Sequence, residues 1–108
     1  MISKKEVDDA IHTLISEVGM GSDEENDIWR DHLCSLIISG TKSAFLLKIA
    51  FDCASWTTDR TIRNAIWLNA IQRGVEMYEK LNKNSKDYSE AINTSMYMEQ
   101  IYKDNCYK

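Results

Sequence analysis

The chain contains no proline and only four glycines among its 108 residues. Proline and glycine are the residues that disfavour a helix most strongly, so long segments of this chain contain nothing that prevents one. Apolar residues recur at three- and four-residue spacing, and no run alternates long enough to indicate a strand. The sequence therefore predicts an all-α fold, a compact single-domain bundle of about five helices.

Helix caps and breaks set the predicted boundaries. Ser3 and Ser22 each begin a capping box, and Thr58 is predicted to cap the fourth helix. Gly19 is predicted to end the first helix, directly after Val18, the last residue of its apolar stripe. The predicted helices span residues 4–18, 23–39, 42–54, 58–81 and 86–102 of one domain, 1–108. The third is apolar on nearly every side, so we expect it to lie at the centre of the bundle.

Charge is unevenly distributed along the chain. Residues 1–40 contain nine acidic and three basic residues, whereas residues 41–80 contain four acidic and six basic ones. The formal net charge is −4, and this disfavours a general nucleic-acid-binding domain, which is normally basic. The asymmetry instead favours a charged partner surface on the first part of the chain.

The second predicted helix begins with an acidic run. Its predicted apolar stripe consists of Ile28, Trp29, Leu33, Leu36 and Ile37. Four acidic residues are expected to line one side of the helix as a negative ridge: Asp23, Glu24, Asp27 and Asp31. Such a ridge would bind a basic protein surface, with Trp29 as a packing anchor. The alternative is a solvated first turn, where the helix dipole favours acidic side chains.

A second candidate site lies in segment 51–67, which joins the third and fourth predicted helices. Arg60, Arg63 and Trp67 share one helical face. Backbone N–H groups at the helix start near Thr58 would hold a phosphate or carboxylate, and the indole would stack on a base. The sequence thus also indicates a nucleotide- or nucleic-acid-binding face.

A plainer interpretation of the same segment remains open. Asp59 precedes Arg63 by four residues, in the favoured order for a surface ion pair, and Trp56 and Trp67 would then belong to the core. A helix-turn-helix interpretation is disfavoured, because the break lacks glycine and its surroundings lack a strong basic charge. The segment is therefore predicted to be either a ligand site or a hinge between two core helices.

The spacing of the reactive residues does not indicate a catalytic site. The three cysteines, Cys34, Cys53 and Cys106, are widely spaced and odd in number, which predicts reduced thiols. The segment 40–43, GTKS, matches a phosphate-binding loop only loosely, because an extra residue separates its glycine from its lysine. With no nucleophile–base set and no metal-ligand cluster, we predict no enzyme activity, no metal and no cofactor.

These observations predict a cytoplasmic protein, since no signal peptide or membrane-spanning run is present in the sequence. The leading functional hypothesis is a non-catalytic protein-binding module, a small acidic inhibitor, antitoxin or immunity-like factor of bacterial or phage type. Its partner would have a basic surface. The alternative hypothesis is a nucleotide- or nucleic-acid-binding module, and a homodimer is compatible with both.

Overall fold

The computed structural model describes residues 2–16 and 21–106. It confirms the all-α bundle, since these residues form five helices and no strand. The helices are α1 (Lys4–Ser16), α2 (Asp23–Gly40), α3 (Ala44–Ala54), α4 (Arg60–Glu79) and α5 (Lys86–Cys106). The predicted end of the first helix, at Val18 and Gly19, lies outside the described residues.

Local sequence sets most of the helix starts. Ser3, Ser22 and Ser43 each accept a hydrogen bond from the backbone N–H group three residues further along, at the starts of α1, α2 and α3. The fourth helix differs from the prediction, because Asp59 rather than Thr58 is its N-cap. Its Oδ1 accepts hydrogen bonds from two N–H groups of the first turn. Helix α4 therefore begins two residues later than predicted.

Helix α3 lies at the centre of the bundle, as predicted, and contacts each of the other four helices. Leu47, Ala50, Phe51 and Ala54 are almost completely buried along it. Phe51 stacks on Trp67 of α4, with the ring centroids 4.9 Å apart. Burial of apolar surface supplies the main stabilising free energy of a domain. The stack of Phe51 on Trp67 is therefore expected to contribute strongly to the stability of the fold.

The buried face of α2 differs from the predicted apolar stripe. Leu33 and Ile37 are buried as expected, whereas Ile28 is 60% exposed and Trp29 is 54% exposed. The buried residues of the helix are Asn26, Asp27, Leu33, Cys34, Ile37 and Ile38. The helix thus turns Asp27 towards the α3–α4 connection and leaves Ile28 and Trp29 at the surface.

Helices α4 and α5 approach closely at Gly74. A Cβ atom at this position would lie 2.5 Å from Ser95 Oγ and 3.2 Å from Met98 Cε. Any larger residue would require the Ser95 side chain or α5 to shift, and this offsets the modest cost of glycine inside a helix. The close contact brings α5 against α4 and Leu47 of α3.

Candidate functional site

The two sites predicted from the sequence meet at the α3–α4 connection. Asp27 of α2 is only 3% exposed. Its Oδ1 accepts a hydrogen bond from the Thr58 N–H group at 2.9 Å, and its Oδ2 accepts from the Thr58 hydroxyl at 2.5 Å and the Asp59 N–H group at 3.0 Å. Arg30 Nη1 lies 3.4 Å from Oδ1. A carboxylate of the chain itself thus takes the donors that were expected to hold an external anion.

The pKa of Asp27 reflects this set of donors. Burial by itself raises the pKa of this carboxyl. The hydrogen bonds from Thr58 and Asp59, together with the charge of Arg30, outweigh burial and bring the pKa below its ordinary value of 3.8. Asp27 is therefore ionised at neutral pH, and its charge is compensated inside the fold.

The lowered pKa of Asp27 predicts that part of the stability is lost in acid. A carboxyl with a lower pKa in the folded state stabilises the fold above its unfolded pKa, and this contribution disappears as the pH falls through the folded pKa. We therefore expect the difference in unfolding free energy between wild type and Asp27→Asn to be constant near pH 7 and to shrink below about pH 4.

Urea unfolding at a series of pH values measures this difference directly. Asp31→Asn is the matched control, because Asp31 is an exposed carboxylate one helical turn after Asp27 on the same helix. A difference between wild type and Asp27→Asn that stays constant down to the acid transition would contradict the pKa assignment.

The predicted ligand face does not form an open site. Trp67 is 2% exposed and donates its indole N–H to the Phe51 carbonyl at 3.1 Å. The Arg63 guanidinium lies 4.5 Å from the centroid of the Trp67 ring and donates to Asn64 Oδ1 at 3.0 and 3.1 Å. Arg60 is exposed at the helix start. Trp67 is thus a core residue covered by Arg63, and the indole face is not available for stacking on a base.

The exposed face of α2 contains most of the predicted partner surface. Ile28 and Trp29 are consecutive exposed residues of this face, and the Trp29 ring meets His32 edge-on at 6.2 Å between centroids. Glu24 precedes Ile28 by one turn and Asp31 follows it by one turn, and both are exposed. We call Glu24, Ile28, Trp29, Asp31 and His32 the Trp29 patch. It combines an apolar centre with acidic edges.

The acidic ridge is divided by the orientation of α2. Asp27 points into the fold, whereas three acidic residues of the predicted ridge are exposed: Asp23, Glu24 and Asp31. The sequence-based prediction placed Asp27 on the partner surface and not inside the fold. The available signal was its spacing of seven and eleven residues from Cys34 and Ile38, which puts a charged residue on the buried face.

The described cysteines are shielded by the fold to different degrees. Cys34 is fully buried and donates to the Ala50 carbonyl, with its Sγ at 3.4 Å. Burial, together with the nearby Cys53, raises the pKa of the Cys34 thiol to about 12, so this thiol is a poor nucleophile. No group of three or more His, Cys, Asp or Glu within residues 2–16 and 21–106 is placed to hold a metal ion.

The chain was also compared with known proteins. It matches no protein-family model, no curated protein and no solved structure. Among the helices of the described residues, none is long and apolar enough to cross a membrane.

Proposed function

We propose that this protein is a non-catalytic protein-binding module that binds a partner with a basic surface through the Trp29 patch. It would act as a small acidic inhibitor, antitoxin or immunity-like factor of bacterial or phage type. The observation that carries this proposal is the exposure of Ile28 and Trp29, 60% and 54%, on a helix face between Glu24 and Asp31. Exposed apolar side chains rimmed by polar ones are typical of interaction sites.

The two kinds of residue in the Trp29 patch would contribute differently to binding. Tryptophan is enriched among the residues whose truncation costs most at interfaces, because its ring buries a large rigid surface. Glu24 and Asp31 lie at the edge of the patch, where charges act mainly on the association rate and on its salt dependence. The acids would thus guide a basic partner to the patch, and Trp29 would hold it there.

The first step of the test identifies the partner. Proteins retained from the native host by the wild type are compared with those retained by Trp29→Ala and by Trp56→Ala. Trp56 is a matched control because it is 73% exposed but lies outside the Trp29 patch. The proposal requires that a host protein with a basic surface binds to the wild type and to Trp56→Ala but not to Trp29→Ala.

The second step measures binding kinetics of the identified protein. We expect Asp31→Lys to slow association by about tenfold at low salt and to weaken its salt dependence, and Trp29→Ala to speed dissociation. Glu99→Lys makes the same change of charge on the exposed side of α5. Equal effects of Asp31→Lys and Glu99→Lys, or unchanged dissociation of Trp29→Ala, would contradict the proposal.

The nucleotide- or nucleic-acid-binding alternative is less favoured by the geometry. It requires Thr58, Arg60, Arg63 and Trp67 to face a common ligand. Thr58 donates twice to Asp27, and Trp67 is buried beneath Arg63. These contacts would have to break before the ligand could bind.

A further inference from the structure

A cleft of about 840 Å³ lies far along α2 from the Trp29 patch, where the end of α2 meets the start of α1. Its apolar wall includes Ile2, Val7 and Leu46. Three basic side chains also line it: Lys4, Lys42 and Arg73. We call this the basic cleft. Its volume is within the range of sites that bind small organic ligands, and its mixed lining has the character of such sites.

The apolar wall of the basic cleft depends on Gly40. A Cβ atom at Gly40 would lie 2.7 Å from Val7 Cγ2 and 2.8 Å from Ile2 Cγ2. The start of α1 therefore packs directly on the backbone at the end of α2, which fixes these two apolar side chains beside the segment 41–43. The wall is thus part of the packed fold.

The opposite side of the cleft is fixed by Arg73. Its Nη2 donates to the Thr41 carbonyl at 2.8 Å, and the Thr41 hydroxyl accepts from the Ser43 N–H group at 3.0 Å. Nη1 lies 3.6 Å from Glu76, and Nε has no acceptor in the protein. A guanidinium has five N–H donors. The fold therefore holds the Arg73 guanidinium beside the cleft, with its Nε buried.

The charge of the basic cleft is opposite to that of the whole chain. Asp8 is the acidic residue in a lining that contains three basic ones, in a protein of net charge −4. Outside the lining, Glu76 balances Arg73 in part. Lys4 and Lys42 are exposed at the edges, so their ammonium groups would reach an anion that enters from solvent. Basic groups beside an apolar wall suit a ligand with a charged head and an apolar body.

We propose that the basic cleft binds a small amphipathic anion. Its carboxylate or phosphate head would contact the basic side chains, and its alkyl body would pack on the apolar wall. The segment 39–43, which includes Lys42, supplies part of the lining. This site is separate from the Trp29 patch and does not depend on the proposed protein-binding function.

The test is a ¹H–¹⁵N NMR titration of the full chain with octanoate and octyl phosphate below their micelle concentrations. We expect saturable shifts confined to the amides near Val7, Thr41 and Leu46 for at least one of the two anions. Acetate and inorganic phosphate test the head alone, and octanol tests the tail alone. Each of these should bind at least about tenfold more weakly, since head and tail contacts contribute together.

Two matched double variants separate specific binding from general charge effects. Lys4→Gln/Lys42→Gln should raise the Kd about five- to tenfold, because it removes two partly solvated charges. Lys83→Gln/Lys86→Gln makes the same charge change outside the cleft and should leave the Kd unchanged. Well-dispersed amide spectra verify that both variants fold. The absence of saturable shifts with both anions, shifts centred on the Trp29 patch, or equal weakening by both variants would overturn the proposal.

Discussion

Replacing Trp67 with alanine is expected to lower the free energy of unfolding by about 4 kcal/mol. Trp67 is 2% exposed, stacks on Phe51 at 4.9 Å and donates its indole N–H to the Phe51 carbonyl at 3.1 Å. Alanine would leave a cavity beside the central helix and remove this hydrogen bond. Domains of this size are stable by about 5–15 kcal/mol, so the loss would be a large part of the total. Urea unfolding followed by far-UV circular dichroism measures it.

Two variants separate the causes of this effect. Trp56→Ala should change the unfolding free energy by less than about 0.5 kcal/mol, because Trp56 is 73% exposed. Trp67→Phe retains an aromatic ring against Phe51 but loses the indole donor and some volume, so its cost should be intermediate, about 1–2 kcal/mol. Similar costs for Trp56→Ala and Trp67→Ala would show that the stack does not contribute as described.

Replacing Asp27 with alanine is expected to cost about 3 kcal/mol of unfolding free energy at neutral pH. The carboxylate accepts three hydrogen bonds from Thr58 and Asp59 and lies 3.4 Å from Arg30. Alanine leaves three partly buried donors at the α3–α4 connection without their acceptor and Arg30 without its partner. Asp27→Asn keeps a single neutral acceptor and should cost somewhat less.

The matched control for this prediction is Asp31→Ala on the same helix. Asp31 is exposed, so its replacement should change the unfolding free energy by less than about 0.5 kcal/mol. Thr58→Val removes the hydroxyl donor, and its double-mutant cycle with Asp27→Ala should give a coupling energy of about 1 kcal/mol or more. A coupling energy near zero would contradict the contact between the two side chains.

Much of the fold was predictable because helix starts depend on residues close together in sequence. A serine side chain reaches the N–H group three residues further along, so Ser3 and Ser22 identified the starts of α1 and α2. The apolar composition of residues 44–54 likewise identified the central helix, because a helix without a polar face has to be buried. The start of α4 was misplaced, since Thr58 donates to Asp27 across 31 positions of sequence.

The candidate site was predictable only in part. Helical periodicity grouped the acids of α2, but it did not determine how far the helix is rotated about its axis. In the structure that rotation buries Asp27 together with Cys34 and Ile38, and it leaves Trp29 exposed. The basic cleft could not be found from spacing at all, because Lys4, Lys42 and Arg73 belong to three separate parts of the chain.

The sequence by itself determined the helical class, the order of the helices and the identity of the central one. It did so through the lack of proline, the helical period and the local caps, which all act within about one or two helical turns. Only the tertiary structure decided which tryptophan is buried, which acid is internal and where the basic side chains converge. The physical reason is that packing and partly buried hydrogen bonds join residues such as Asp27 and Thr58, which are distant along the chain.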